Sequence, residues 1–251
     1  MFIRSLLLLL LLLLTWSILF PVASFAGDDP ATLLQKIDRN LEPDSYEMYR
    51  KLINVEPDGK TKEFVLFMVR KGNEKVAGVF LSPPSDKDRA MLRLGDNMWL
   101  YIPNVGKPVR ITSLQSATGG VFNNADILRI DFGAEYNVEQ LKDTLGQYLF
   151  LLKAKTNSVA YDRLRLWADK KILLPISIEC LTEANMLIKT LHYKETKDFG
   201  GGIVRPSVIE TDSPLYKGYK SIMIFAKIQR RPLNDEFFTT NYMSKIKELR
   251  E

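Results

Sequence analysis

Cys180 and His192 are the single cysteine and the single histidine of the chain, and they are the first place to look for nucleophilic chemistry. A thiolate beside an imidazole would make a Cys–His nucleophile, and the two residues fall on neighbouring strand-like runs. Nothing in the local sequence supports that pairing. The run from Ile172 to Cys180 carries Ile172, Leu174, Ile176, Ile178 and Cys180 at every second position, which makes Cys180 a small buried side chain on one strand face. One histidine and one cysteine fall short of the usual zinc or copper ligand sets, and a lone cysteine forms no internal disulfide. Asp126, Asp131 and Glu135 are spaced so that two of them could share acid–base work; a solvated polar face is the commoner meaning. The chain has no G-x-S-x-G elbow, no phosphate-binding G-x-x-x-x-G-K-[ST] and no G-x-G-x-x-G. Gly200-Gly201-Gly202 lies between two strand-like runs with no helix behind it and is a turn. These residues predict no catalytic group, no metal site and no cofactor.

The elements that would position any site begin after a leader. Arg4 precedes a nearly pure leucine block from Leu6 to Leu14, continued by Trp16, Ile18, Leu19 and Phe20 and broken by Pro21. Ala26 and Ser24 stand at the −1 and −3 positions of a cut before Gly27-Asp28-Asp29. This is the pattern of a secretory signal peptide over residues 1–26, and the apolar block is short for a membrane span of ~20 residues. Residues 27–251 then read as a single domain working outside the cytoplasm. No cysteine stands at the cut, so the chain carries no lipid anchor there. The full chain has a net charge of +5 with its lysines and arginines dispersed, which gives no nucleic-acid footprint.

Asp29-Pro30 starts a helix, and Leu33, Leu34, Ile37 and Leu41 recur at helical spacing as its buried face. Beyond Pro43 the period changes to two. Strands are predicted over 45–55, 61–71, 75–81, 89–94, 98–102, 109–112, 148–155, 160–168, 172–181, 186–195, 204–210 and 219–228, with Asp58-Gly59 the strongest hairpin signal. The polar stretch 113–124 leads to a helix capped by Asn124, and a further helical turn is expected over 138–145. The tail from Asn234 ends in a short helix. The pattern predicts a mainly β (α+β) fold, one curled antiparallel sheet forming a sandwich or barrel with helices over its mouth. Phe64 to Val69 and Tyr148 to Leu152 do not alternate, so their second face must also be covered. A sheet wrapped around an apolar interior would do this, whether that interior is packed or hollow.

The stretch Asp88-Arg89-Ala90-Met91-Leu92-Arg93-Leu94-Gly95-Asp96-Asn97-Met98-Trp99-Leu100-Tyr101-Ile102-Pro103, continued by Gly106-Lys107-Pro108-Val109-Arg110-Ile111-Thr112, resembles the hairpin of the outer-membrane lipoprotein-sorting family, the LolA-like periplasmic proteins. Phe122-Asn123-Asn124-Ala125-Asp126 is similar to that family's F-x-x-x-D segment before a helix, and Leu164-Arg165-Leu166-Trp167 with Leu174-Pro175 looks like its second hairpin. The family's common GSDF is replaced here by Asn123-Asn124-Ala125-Asp126. The resemblance implies an incomplete antiparallel β-barrel with a helical lid, latched by an arginine in the family's name-giving chaperone, over an apolar cavity.

What it implies for function is a non-enzymatic periplasmic carrier that shelters the acyl chains of a lipoprotein or lipid for transfer toward the outer membrane. Its partners would be those acyl chains, an inner-membrane exporter and an outer-membrane acceptor, with no nucleic acid. On this reading Leu66, Met68, Phe80, Met91 and Trp99 line the cavity, the inward face being assigned by register alone. The competing readings are an envelope binding or scaffold protein with a packed core, accessory to an inner-membrane exporter, and a hydrolase, against which the lack of a recognisable nucleophile and base weighs.

Overall fold

The computed structural model describes residues 28–250, so the leader expected over 1–26 lies outside the described residues. In chain order the strands are β1 (Ser45–Val55), β2 (Thr61–Lys71), β3 (Lys75–Ser82), β4 (Ala90–Leu94), β5 (Asn97–Tyr101), β6 (Pro108–Ile111), β7 (Tyr136–Thr144), β8 (Gln147–Ala154), β9 (Arg163–Asp169), β10 (Pro175–Leu181), β11 (Leu187–Asp198), β12 (Val204–Asp212) and β13 (Lys220–Arg230). All belong to one antiparallel sheet in the order β6-β5-β4-β3-β2-β1-β13-β12-β11-β10-β9-β8-β7. It is a meander interrupted once. Where β6 gives way to β7 the chain passes from one edge of the sheet to the other, through residues 112–135 and two short helices, α2 (Asn124–Ile127) and α3 (Phe132–Glu135). The edges do not pair with each other, so the barrel is incomplete.

The sheet curls because one face of nearly every strand feeds a single apolar cluster. Met48, Phe64, Phe80 and Met91 from one half meet Phe150, Leu166, Ile178 and Met223 from the other. Over this concave face lie the 112–135 segment and α1 (Pro30–Leu41). Asp29 caps α1 by accepting the Thr32 N–H at 3.2 Å, Pro30 occupies its first turn, and Leu33, Leu34, Ile37 and Leu41 are its buried stripe. No helix among the described residues is long and apolar enough to cross a membrane.

The second apolar face of β2 has a different cover from the one expected. Phe67 and Val69 point outward together with Ala77, Val79, Ala90 and Leu92, and the C-terminal 3-10 segments Asp235–Phe238 and Thr240–Arg250 close over them with Phe238, Met243, Ile246 and Leu249. The tail, and not the curl, accounts for the broken alternation of Phe64 to Val69.

Two predicted elements change. The helix expected over 138–145 is the edge strand β7, whose mostly exposed outer positions leave it too polar for its alternation to read. Asn123, one residue earlier than expected, caps α2. It accepts the Asp126 N–H at 3.0 Å while its own N–H donates to the Asp126 carboxylate at 2.8 Å, a reciprocal capping box. The glycine run does form the β11–β12 turn, with φ of +82°, +60° and +74° at Gly200, Gly201 and Gly202, a backbone that side chains with a Cβ resist.

Candidate ligand-binding interior

Strand parity decides which predicted cavity residues share a face. Leu66, Met68, Phe80 and Met91 all point into the concave cluster and are fully buried. Leu66 stands opposite Phe80 on β3, and Met91 opposite Leu100 on β5. Trp99 does not belong with them. It sits between Met98 and Leu100, which point inward, so its own side chain faces outward opposite Leu92 and packs against the cluster under the C-terminal tail. Parity also separates Cys180 from His192. Cys180 is buried on the inner face opposite Lys189, whereas His192 pairs with Ser177 on the outer face, half-exposed and 3.5 Å from Asp212.

The concave face also carries a feature absent from the sequence reading. Its buried basic side chains, Arg50 on β1, Arg70 on β2, Arg93 on β4, Lys189 on β11 and Arg205 on β12, all come from strands. The carboxylates that meet them, Glu42, Asp126, Asp131 and Glu135, all come from the cap of α1 or the 112–135 segment. Floor and lid are thus held together by opposite charges. Glu42, at the end of α1, lies at the centre. Arg70 pairs with it directly, Arg129 of the lid lies at 3.1 Å, Arg205 at 3.5 Å and Arg50 at 3.7 Å, and the Tyr46 hydroxyl donates to it at 2.6 Å. Arg70 also reaches Asp131, and Arg93 reaches Glu135.

Two strand arginines grip the lid backbone as well: Arg50 donates to the Ile127 carbonyl and Arg93 to that of Leu128 at 3.2 Å. Both contacts tie the strand floor to the backbone of the covering segment. At the other end of the floor Lys189 donates to the Val121 carbonyl at 2.6 Å and meets Asp126 at 2.5 Å.

Burial alone would raise the Glu42 carboxyl, but the guanidiniums of Arg129, Arg70, Arg205 and Arg50 together hold it well below the ordinary value. Burial, reinforced by Glu42, pushes the Tyr46 hydroxyl up to about 12. Asp38 goes the other way. Burial and the neighbouring Asp131 push it up to about 7, against the opposing pull of Arg129 and of the Gly133 and Phe132 N–H groups, which donate to it at 3.0 and 2.8 Å. Its folded value therefore lies above its unfolded one. The stability this proton adds is full below about pH 4 and declines until the carboxyl is ionised in both states, near pH 7. Wild-type stability in urea is accordingly expected to fall between pH 5 and 7, and Asp38→Asn to flatten that slope. An equal slope in both proteins would remove Asp38 from the account.

Between lid and floor lies a cavity of about 40 Å³, lined by Phe122, Arg129, Phe132, Tyr136, Ile178, Leu191, Tyr193 and Met223 among others. The buried Tyr193 hydroxyl has no hydrogen-bond partner among the described residues. None of Leu66, Met68, Phe80, Met91 and Trp99 lines this cavity; the first four fill their half of the interior by packing on one another. An open groove of about 280 Å³, with Leu114, Leu215 and Tyr216 on its walls, shares Phe122 and Tyr161 with the cavity.

The comparisons with known proteins agree with this geometry. A family model described as "Uncharacterized protein" matches residues 72–245. No curated protein matches the sequence. Among solved structures, a LolA superfamily protein from Nitrosomonas europaea is 26% identical, with 84% of this chain and 97% of that one covered at a TM-score of 0.76. A structure described as an outer membrane lipoprotein-sorting protein domain, from Vibrio parahaemolyticus, is 17% identical over 85% and 97% of the two chains, with a TM-score of 0.71. A DUF1329 family protein from Desulfovibrio piger is 18% identical over 85% and 97%, with a TM-score of 0.72; these last two bear on the fold alone. The chain belongs to the family whose model it matches, and its curled sheet with a covered concave face is the fold of the LolA superfamily.

Proposed function

We propose that this chain is a non-enzymatic periplasmic carrier that shelters acyl chains of a lipoprotein or lipid on the concave face of its sheet, in transit toward the outer membrane. The observation that carries the reading is how the lid is attached. An apolar floor made by nearly every strand is closed by α1 and residues 112–135, and the ties between them include ion pairs and hydrogen bonds, which break and re-form without covalent chemistry. Each methylene moved out of water contributes about 0.8 kcal/mol, so a sixteen-carbon chain offers roughly 12 kcal/mol against the work of opening. Release then needs a competing apolar site and no chemistry on the cargo. An inner-membrane exporter and an outer-membrane acceptor are the partners such a cycle calls for.

The volume of the interior favours a second reading. A void of about 40 Å³ has room for a water molecule or two, whereas an apolar cavity that holds benzene measures about 150 Å³. A chain that never opens would be a packed envelope scaffold working by its outer surface. Displacement of a fluorescent fatty acid decides between them. The carrier is expected to bind the probe and release it to added fatty acid or lipopeptide. Failure to bind any acyl probe or lipopeptide would leave the scaffold. Sequencing the N-terminus of periplasmic material tests the location, with Gly27 as the expected first residue.

A further inference from the structure

The arginines around Glu42 point to the chemistry of the cargo. We propose that the carried molecule is a lipid with a phosphate headgroup, and that Glu42 occupies the phosphate position while the lid is closed. The inference rests on the carrier reading and adds to it the class of ligand.

Arg50, Arg70 and Arg205 are anchored on strands, and Arg129 joins them from the lid. Arg70 is shared with Asp131 and Arg129 lies 3.7 Å from Asp38, but among the described residues Arg50 and Arg205 meet no carboxylate other than Glu42, so the guanidiniums still outnumber the carboxylates that answer them. The planar fork of arginine suits the several acceptor oxygens of a phosphate. The buried Arg50, Arg70 and Arg205 have no buried carboxylate on any strand to fall back on, because every carboxylate meeting them belongs to α1, its cap or the lid segment.

When the lid lifts, those counter-charges leave with it. A neutral acyl ligand filling the interior would strand the floor cations in an apolar setting, where an uncompensated ion is strongly disfavoured. A ligand that brings its own anion replaces what the lid removed. The layout suits such an amphiphile. Arg70 and Arg93 lie in one cross-strand row, with Val76 between them and Tyr46 beyond Arg70, while Leu66, Met68 and Phe80 continue the floor away from that row. The Tyr193 hydroxyl, which has no partner among the described residues and lines the cavity together with Arg129, is a further donor.

The test uses the mature chain and two probes with the same acyl tail, 1-lauroyl lysophosphatidate and the uncharged 1-monolaurin. Both compete with a fluorescent fatty acid below their aggregation concentrations and at fixed ionic strength. The lysophosphatidate is expected to bind at least tenfold more tightly. Arg70→Gln is expected to bring the ratio of the two affinities toward one. Glu42→Gln, which keeps every arginine and removes the competing charge, is expected to raise it, and its melting curve with lysophosphatidate present reports binding even where the free variant is unstable. Equal binding of the two probes by the wild type, or a ratio that neither variant moves, overturns the phosphate assignment and leaves the carrier intact. Binding of neither probe overturns both.

Discussion

Glu42→Ala is expected to lower the melting temperature by roughly 6–20 °C. The substitution takes the central carboxylate from Arg70, Arg129, Arg205 and Arg50 and leaves the Tyr46 hydroxyl without its acceptor. Guanidiniums cannot shed a proton to escape an apolar setting, so the cost is that of breaking a buried pair from one side, about 3–5 kcal/mol. For a domain of this size each kcal/mol moves the midpoint by ~2–4 °C. Glu56→Ala, in the exposed β1–β2 turn, is the control and is expected to stay within ~0.5 kcal/mol of wild type. The pH dependence gives an independent check. The folded value of Glu42 lies below its unfolded value, so its contribution is present above about pH 4.5 and is lost as the pH falls through the folded value. The acid limb of the wild-type stability curve should be shallower in Glu42→Ala, and the slope between pH 5 and 7 assigned to Asp38 should persist. A melting shift of a degree or two would mean that the arginines are hydrated and that the lid is held by its apolar stripe alone.

The sheet was legible because period-two alternation and turn residues repeat along most of the chain. The hairpin from Asp88 to Thr112 carried the family resemblance, and it forms β4, β5 and β6 in register. Edge strand β7 escaped because exposure on its outer positions removes the apolar contrast that alternation needs. The choice of face failed at Trp99 for a different reason. Both faces of β2 to β5 are covered, one by the lid and the other by the tail, so apolar character does not distinguish inward from outward there. The charge network was missed although a signal was present. Arg50 follows Tyr46 and Met48 at even spacing, Arg70 follows Phe64, Leu66 and Met68, and Arg93 follows Met91. An arginine in phase with a buried apolar face requires a buried partner. The partners themselves lay out of reach, because Glu42 comes from the end of α1 and Asp131 and Glu135 from a segment some ninety residues on. Only the crossing from β6 to β7 brings those two stretches together over the same floor.

Leu66 offers the sharpest test of whether the floor is packed or wet. It is fully buried, opposite Phe80 on β3 and opposite Arg50 on β1. Truncating a buried leucine alone costs ~2–5 kcal/mol, and an ionised side chain adds the cost of desolvating a charge. Cross-strand neighbours have Cβ atoms ~5 Å apart, so a new carboxylate at position 66 would lie beside Arg50, which meets Glu42 only at 3.7 Å. Leu66→Glu is therefore expected to destabilise the fold by several kcal/mol and still retain a cooperative transition, because Arg50 offsets part of the charge. Leu66→Lys sets like charges opposite each other and is expected to abolish the transition altogether. Circular dichroism melts of the two variants beside wild type read the order directly. If both variants melt like wild type, the interior around Leu66 is solvated and Leu66 does not pack into the apolar floor. If both unfold equally, Arg50 is too tightly held by Ile127 and Glu42 to turn toward β2, and the latch on the lid is stiffer than its distances imply.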